Sequence, residues 1–232
     1  MRHFLSIVLP VYNQADHIGH VVRGHLAALN DMPAPFELLL VVNGCRDNSL
    51  DVCNELAAQS PLVKVVFSEP GGWGLAVRLG LKSAQGDLLC YTNSARTSSE
   101  ALRNILDIAL DSPTKVIKAR RTDRGGIARR FGSWLFNTEC GILFGVKSKD
   151  VNGTPKCFPR DMYPLHELLE ENGDLIDAEF LAHCRRLKAE VIEAPITASA
   201  RHGGKSTTSL KTARGLLLGA PKLWRRMRGN RS

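Results

Sequence analysis

The sequence has little that would hold a zinc ion, a disulfide framework or a membrane span. Its six cysteines are scattered and no two of them form a CxxC pair, which argues against a zinc ribbon and against disulfide bonds. We therefore expect a reducing, cytoplasmic compartment. The apolar run before Pro10 is too short for a signal peptide, and no other run approaches the ~18 uninterrupted apolar residues of a membrane span.

Acidic side chains are few relative to basic ones. The chain has 23 aspartates and glutamates against 31 lysines and arginines, which gives a formal charge of +8. This excess predicts an anionic partner, and charge alone leaves open nucleic acid, a nucleotide-bearing substrate, a lipid phosphate or an acidic membrane surface. Nucleic acid is disfavoured because the chain lacks aromatic platforms and a basic helix in a recognisable docking motif.

Short apolar runs alternate with helix-like stretches over the first 120 residues. Fully apolar strands separated by helices are typical of βαβ crossovers, and so of a mostly parallel sheet with helices on both faces. We therefore predict an α/β fold with one core. The predicted strands are residues 5–12, 37–42, 63–68, 87–92 and 115–120, and the predicted helices are residues 16–30, 50–59, 74–85 and 129–145, with a further αβ unit at 175–196.

Polar loops follow the first four predicted strands. They read PVYNQ, NGCRDNS, PGGWG and TNSART. In a mostly parallel sheet these loops lie beyond the carboxyl ends of the strands, where α/β proteins bind ligands. The sequence therefore predicts one crevice lined by four loops.

Four fragments in this order resemble the family 2 glycosyltransferases of the GT-A fold: SIVLPVYN, VVNGCRDNS, GGWGLAVRLGLKSAQGDLLCYT and DVNGTPKCFPR. The resemblance covers residues 4–207 and is strongest to polyprenyl-phosphate sugar transferases such as dolichol-phosphate mannose and glucose synthases. It implies a single Rossmann-like GT-A domain at 1–207, followed by a basic amphipathic tail at 208–232. It also implies transfer of a sugar from a nucleotide-sugar, with inversion, to a polyprenyl phosphate or another membrane-associated acceptor.

The resemblance assigns the nucleotide to the first four loops. The family's first two loops read P-x-Y-N-E and V-D-D-G-S-x-D-x-T, and here Gln14 replaces the glutamate while Val42 and Asn43 replace the two aspartates. In the third loop, Trp73 stands where the family has a lysine. The nucleotide-binding residues implied are Pro10, Tyr12, Asn13, Asn43, Asp47, Gly74, Arg78, Asn93 and Ser94.

The fourth loop departs most from the family. The D-A-D triplet that binds a metal is replaced by Asn93, Ser94 and Ala95, with Arg96 directly after it. Hard cations need charged oxygen ligands, so we expect no metal and no other cofactor. Two interpretations remain open: Arg96 and Arg78 stabilise the departing diphosphate in place of the metal, or the protein is an inactive enzyme that still binds a nucleotide or lipid phosphate.

The resemblance places further catalytic residues after the central sheet. Asp150 would contact the sugar near its anomeric centre, and Lys156 would reach a phosphate. Asp177 is the candidate base if the acceptor is an alcohol. A lipid phosphate is already anionic near neutral pH and needs no base.

The implied acceptor site consists of a basic helix and a glycine-containing loop. RRFGSWLFN supplies Arg129, Arg130, Ser133 and Asn137, and residues three or four apart share one helix face. RHGGKS supplies Arg201, His202, Lys205 and Ser206. The tail beyond is either a segment on the membrane surface or a helix packed on the domain. We expect a peripheral protein at the inner face of the membrane. A membrane protein is among the partners that this location allows.

Overall fold

The computed structural model describes residues 3–122, 127–162, 164–197 and 210–229. Strands and helices alternate from the start of the chain, as the sequence predicts. The strands are β1 (Leu5–Val11), β2 (Phe36–Asn43), β3 (Val63–Ser68), β4 (Leu88–Tyr91), β5 (Val116–Arg121), β6 (Lys156–Pro159) and β7 (Val191–Ile196). The helices are α1 (Ile18–Leu29), α2 (Ser49–Gln59), α3 (Trp73–Ser83), α4 (Ser99–Asp111), α5 (Ile127–Phe144), α6 (Leu165–Leu168), α7 (Ile176–Arg186) and α8 (Leu210–Gly229).

The seven strands form one sheet in the order β3-β2-β1-β4-β6-β5-β7. Strands β1 to β4 pair in parallel, β5 pairs in parallel with β7, and β6 runs antiparallel to both of its neighbours. All strands except β6 therefore point the same way. Their carboxyl ends meet at one edge, which is where the predicted loops lie.

Both faces of the sheet are covered. Every residue of β1 and β2 is buried, and because successive side chains of a strand point to opposite faces, each strand contributes to two cores. Ile7 packs with apolar residues of α1, α2 and α4, and Val8 packs with those of α3, α5, α7 and α8. Helix α3 lies very close to the sheet, since a Cβ at Gly80 would come within 2.2 Å of a Val8 methyl group.

The predicted single α/β domain with a mostly parallel, doubly covered sheet is confirmed. Three elements were not predicted from the sequence: α4, α6 and the short strand β6, which lies within the fragment DVNGTPKCFPR. Helix α8 packs on the domain through Ala220, Leu223 and Met227, which are all buried. Within the described residues, no helix is long and apolar enough to cross a membrane.

Candidate functional site

The loops that follow β1, β2 and β4 are joined by side-chain hydrogen bonds. The Asn13 side-chain carbonyl accepts from the Arg46 backbone N–H at 2.8 Å, and the Ser49 hydroxyl accepts from the Gln14 N–H at 2.8 Å. The Ser94 hydroxyl donates to the Gln14 side chain at 2.9 Å. These uncharged contacts place the predicted nucleotide loops together at one rim, at the carboxyl ends of the strands.

Asn43 connects the ends of two strands with the third loop. Its side chain is buried; its amide donates to the carbonyl oxygens of Val11 at 2.9 Å and Val41 at 3.3 Å. Its oxygen accepts from the Gly72 N–H at 2.9 Å. An amide both donates and accepts, whereas a carboxylate only accepts. This network gives a structural reason for asparagine here, and its predicted contact with a nucleotide stays a prediction.

The other predicted residues of the first two loops surround this network. Tyr12 is 46% exposed, and Asn13 is half-buried with a φ of 50°, in the left-handed region. The Pro10 carbonyl accepts from the Ser94 hydroxyl at 2.9 Å. Asp47 accepts from the Ala15 and Ser49 N–H groups, each at 3.1 Å. Burial by itself would raise the pKa of Asp47. These bonds and the hydrogen bond from the Ser49 hydroxyl outweigh it and lower the pKa below its usual value.

Gly74 and Arg78 contact the loop of residues 169–175, which connects α6 and α7 and is not one of the four predicted loops. A Cβ at Gly74 would lie 2.3 Å from the Glu171 carbonyl oxygen, so no larger residue fits without moving backbone. The Arg78 guanidinium donates to the Glu170 carbonyl at 3.0 Å and to the Asn172 side chain at 2.6 Å. Both residues therefore fix this loop against α3, and their predicted nucleotide contacts are untested.

The fourth loop is closed by its own polar groups. The Asn93 side-chain oxygen accepts from the Ala95 N–H at 2.9 Å, and its carbonyl accepts from the Thr97 N–H at 3.0 Å. Ser94 is buried, and Arg96 is half-buried with its N–H near the Asn93 carbonyl at 3.3 Å. A contact of Arg96 with a diphosphate remains a prediction.

A row of polar side chains crosses the sheet near this rim. It consists of Tyr91 on β4, Lys156 on β6, Lys118 on β5 and Glu193 on β7, each directly opposite the next in the strand register. Directly opposed residues point to the same face. Both lysines are 0% exposed. We call these four residues the polar row.

Asp177 lies over one end of the polar row. It is buried and ion-paired with Lys156, and it accepts from the Tyr91 hydroxyl at 2.9 Å and the Trp73 indole N–H at 3.3 Å. Burial and Asp177 raise the pKa of Tyr91 well above its usual value, so the phenol stays a donor. Both Asp177 oxygens are engaged. A role as base, or a phosphate contact of Lys156, requires this cluster to open.

Asp150 contacts the polar row at Lys118, whose ammonium donates to the Asp150 backbone carbonyl at 2.6 Å. It is 1% exposed and holds the Arg121 guanidinium through two bonds, at 2.8 and 2.7 Å. The Arg121 N–H also donates to it at 2.9 Å. The sequence analysis missed Arg121, Trp73 and Tyr91. Only Trp73 carried a signal, because it replaces the lysine of the family's third loop.

Arg121 faces a groove of about 500 Å³ beside α5. Arg130 and Asn137, two predicted acceptor residues, also line it. Asn137 donates to the Lys149 carbonyl at 2.7 Å and accepts from the Val151 N–H at 3.1 Å, so it fixes one wall. The groove is basic because Arg121, Arg130, Lys147 and Lys149 line it, and Trp134 adds an aromatic side chain. We call it the basic groove.

The remaining acceptor predictions are Ser133 and Arg129 on α5 and four residues of the glycine-containing sequence RHGGKS. Ser133 is half-buried on α5. Arg129 belongs to α5, but its side chain is outside what the structure describes. Arg201, His202, Lys205 and Ser206 lie outside the described residues.

Comparison with known proteins agrees with this geometry. The family model described as glycosyl transferase family 2 matches residues 6–131, which is more than half of the chain. The chain belongs to glycosyl transferase family 2. This assignment confirms the resemblance of the loop motifs to that family.

Two curated relatives resemble much of the chain. An undecaprenyl-phosphate 4-deoxy-4-formamido-L-arabinose transferase of Shewanella sediminis is 29% identical over 160 residues, 68% of this chain and 48% of that protein. Glycosyltransferase AglD of Haloferax volcanii is 27% identical over 203 residues, 83% of this chain and 32% of that protein. The chain thus spans about half or less of the length of these relatives.

The solved structures share the fold. Mannosyl-3-phosphoglycerate synthase from Rubrobacter xylanophilus superposes with a TM-score of 0.74 at 19% identity, covering 98% of this chain and 75% of that one. Glucosyl-3-phosphoglycerate synthase from Mycobacterium tuberculosis, in complex with Mn²⁺, UDP-glucose and phosphoglyceric acid, gives 0.69 at 16% identity, covering 96% and 79%. These likenesses confirm the GT-A fold.

The expectation that this protein uses no metal is corrected by this last structure. A neighbour with the same fold contains Mn²⁺ together with UDP-glucose, so the interpretation of Arg96 as a replacement for the metal loses its premise. The triplet Asn93, Ser94 and Ala95 offers no carboxylate, and among the described residues no group of three His, Cys, Asp or Glu side chains could hold a metal. The residues at this rim therefore do not fit a carboxylate-held ion.

Proposed function

We propose that the chain transfers a sugar from a nucleotide-sugar to a polyprenyl phosphate, with inversion at the anomeric carbon. An acceptor phosphate oxygen forms the new bond to that carbon. The bond from the carbon to the donor diphosphate breaks, and the diphosphate leaves with the electron pair. Family membership supports this reaction type, and the similarity to an undecaprenyl-phosphate 4-deoxy-4-formamido-L-arabinose transferase supports the acceptor class.

The basic groove is the observation that carries the proposal. Arg121 and Arg130 face it together with Lys147 and Lys149, and Asp150 holds the Arg121 guanidinium in a fixed orientation. Guanidinium groups bind phosphate through paired, charge-assisted hydrogen bonds. A phosphate bound there needs no general base, which agrees with the engagement of both Asp177 oxygens.

An exposed apolar stripe on α5 supports a membrane-bound acceptor. Phe131, Trp134, Leu135 and Ile142 are 61%, 59%, 38% and 78% exposed, and their spacing places them along one side of the helix. The rings of Phe131 and Trp134 lie 5.7 Å apart. An apolar stripe with a tryptophan beside basic residues is typical of helices that lie on an anionic membrane surface. We therefore place the protein at the inner face of the membrane.

A reconstituted transfer assay tests the proposal. The protein is mixed with liposomes that contain undecaprenyl phosphate and with hexoses carried on UDP, GDP, CDP or dTDP, once with Mn²⁺ and once with EDTA. We expect one donor to give a glycosylated lipid phosphate, detected by mass spectrometry, with an inverted anomeric centre by NMR. No product with any donor, in either condition, would contradict the proposal.

A matched pair of variants tests the role of the groove. Arg130→Met should raise the KM for the lipid phosphate roughly tenfold, as expected for loss of one charge-assisted contact, and should leave the KM for the nucleotide-sugar unchanged. Arg23→Met removes an equally exposed arginine on α1 and should change neither. Equal effects of the two variants would show that only overall charge matters.

The liposomes also test the apolar stripe. Trp134→Ser should reduce co-flotation of the protein with anionic liposomes, whereas Phe67→Ser, which removes an exposed aromatic side chain from β3, should not. Unchanged flotation of Trp134→Ser would remove the stripe from the proposal.

A second candidate function rests on the carboxylate-free fourth loop: an inactive family member that binds a nucleotide or lipid phosphate. Calorimetric titration with UDP, GDP, CDP and dTDP separates the two. Binding of one nucleotide without transfer to any acceptor would favour the binding protein, and binding with transfer would exclude it.

A further inference from the structure

Lys118 is a buried charge on β5, next to the edge strand β7. Its ammonium donates to the Asp150 carbonyl at 2.6 Å, to the Glu193 carboxylate at 3.0 Å and to the Ser148 hydroxyl at 3.3 Å. Glu193 in turn accepts from the Ser148 hydroxyl at 2.6 Å. The ammonium group thus lies among oxygen atoms of residues 148–150 and of β7.

The segment 148–150 carries the carboxylate that orients Arg121. Glu193 also accepts from the Lys149 N–H at 3.4 Å, and the Ser148 hydroxyl accepts from the Asp150 N–H at 3.1 Å. Lys118 and Glu193 therefore fix the backbone of this segment from beneath. Asp150 extends from it to the Arg121 guanidinium, which faces the basic groove.

We propose that Lys118 is a positioning residue for the acceptor phosphate: it holds the 148–150 segment in place so that Asp150 presents Arg121 to the groove. The inference rests on the proposed function in that the anion in the groove is the acceptor phosphate. Lys118 itself touches no substrate, and it acts through Asp150 and Arg121.

Stability alone does not account for a lysine here. A buried ion pair gains little over a well-packed apolar pair, and both strands already carry a surface pair just before they begin. Lys115 and Glu190 approach to 2.7 Å with side chains 34% and 64% exposed. This second pair bridges the same strands without contacting 148–150 in any described bond, so it provides a matched control.

The surroundings of Lys118 give a pH signature. Burial and then the charge of Lys156 lower the pKa of Lys118 to about 8, while Glu193 opposes the shift. The charged groups that face it are Glu193 from β7, Lys156 from β6, and Asp150 from the segment above. Deprotonation of Lys118 near pH 8 removes the attraction to Glu193 and one donor to the segment.

The first measurement is the ¹⁵N NMR signal of the Arg121 Nε–H group, assigned by its disappearance in Arg121→Lys. We expect Lys118→Met to shift or broaden this signal and Lys115→Met to leave it unchanged. In the wild type the signal should change between pH 7 and 9. The proposal would be overturned if the Arg121 signal were the same in Lys118→Met as in the wild type and if the wild-type signal did not change between pH 7 and 9.

The second measurement is the affinity for farnesyl phosphate, a soluble probe whose second phosphate pKa near 6 keeps it dianionic throughout. Its Kd should rise about tenfold between pH 7 and 9.5 in the wild type. In Lys118→Met the Kd for farnesyl phosphate should be high at both pH values. The Kd for the nucleotide that calorimetry identifies should be the same as in the wild type. A wild-type pH profile in Lys118→Met would overturn the proposal.

Two outcomes keep the inference separate from the proposed function. If no variant binds farnesyl phosphate, the proposed acceptor is wrong, and the Arg121 signal still decides whether Lys118 positions the guanidinium. If Lys118→Met does not fold, Glu193→Gln and the wild-type pH titration of the same signal take its place. A pH-independent wild-type signal would then overturn the inference.

Discussion

The two halves of the sheet edge are built on different chemistry. The half proposed to bind the donor, which we call the donor half, is formed by the loops after β1 to β4. It is joined mainly by neutral hydrogen bonds of Asn43, Ser94 and Gln14, together with the Asp47 carboxylate. The half proposed to bind the acceptor, which we call the acceptor half, lies around β5 to β7. It contains buried ion pairs, among them Lys156 with Asp177, Lys118 with Glu193 and Arg121 with Asp150. Trp73 connects the two halves, because it begins α3 on the donor side and donates to Asp177.

This difference shows that charged side chains are held in a fixed orientation in the acceptor half. Neutral side chains can satisfy one another and leave a rim that is closed without any ligand. A buried carboxylate instead needs a cation, and that cation is then held in a fixed direction, as Arg121 is toward the groove. The halves should therefore differ in their response to the loss of a single side chain.

The largest effect is expected for Asp177→Ala. It leaves the ammonium of Lys156 buried without its partner, which costs about 3–5 kcal/mol of the free energy of unfolding, measured by urea denaturation. Asp107→Ala breaks the surface pair with Arg103 and should cost less than about 1 kcal/mol. Equal losses in the two variants would mean that the acceptor half is no more sensitive than the surface.

Acid should weaken the acceptor half first. Burial and then Arg186 lower the pKa of His183 on α7 to about 4. The unfolded chain takes up this proton near pH 6.5 and the folded chain does not, so stability falls as pH drops from 6.5 to 4, by roughly 3 kcal/mol. Asp47 in the donor half has a lowered pKa, so its contribution is lost only as pH falls below about 4.

Hydrogen exchange followed by mass spectrometry measures this order. Helix α7 should lose protection between pH 6.5 and 4, before β1 and β2 do, after correction for the intrinsic exchange rate. His183→Gln should remove the difference. Loss of protection in the donor half first would contradict the comparison.

A smaller effect is expected for Asn43→Asp, which restores the family's residue. The carboxylate can still accept from the Gly72 N–H but loses both donated bonds to Val11 and Val41 and faces their carbonyl oxygens. We expect a loss of about 2 kcal/mol in the free energy of unfolding. Asn54→Asp, on the exposed side of α2, serves as the control. A stability gain in Asn43→Asp would refute the structural reason given for the asparagine.

The smallest effect is expected for Trp73→Phe, which removes one of the contacts between the halves. Loss of the 3.3 Å bond from the indole to Asp177 should cost about 1 kcal/mol by urea denaturation. Trp134→Phe, at a side chain that is 59% exposed, should change stability by less than about 0.5 kcal/mol. If the two substitutions are equivalent, Trp73 does not join the two halves energetically.

Much of the donor half was predictable from the sequence. Apolar runs mark β1 to β5 to within two residues, since each strand is a continuous local stretch that is buried on both faces. The loop motifs that follow these strands are also contiguous in the sequence, so they indicate the family without the tertiary structure. Residue types such as Asn93 and Ser94 also show that the fourth loop lacks the family's carboxylates.

The acceptor half needed the tertiary structure. Tyr91 and Asp177 are 86 positions apart in the chain, and Lys118 and Glu193 are 75 apart. Strand β6 is only four residues long, too short for its pattern to indicate its antiparallel insertion between β4 and β5. That insertion determines which lysine faces which carboxylate.

The sequence by itself thus determined the fold, the family and the edge of the sheet at which the loops meet, because these depend on local hydrophobic pattern and on contiguous motifs. Only the tertiary structure decided that Lys156 is paired beneath the rim, that Asp150 holds Arg121, and that Lys118 supports their segment. The physical reason is that a buried charge is defined by its partner, and strand register, which no local pattern records, brings the partners together.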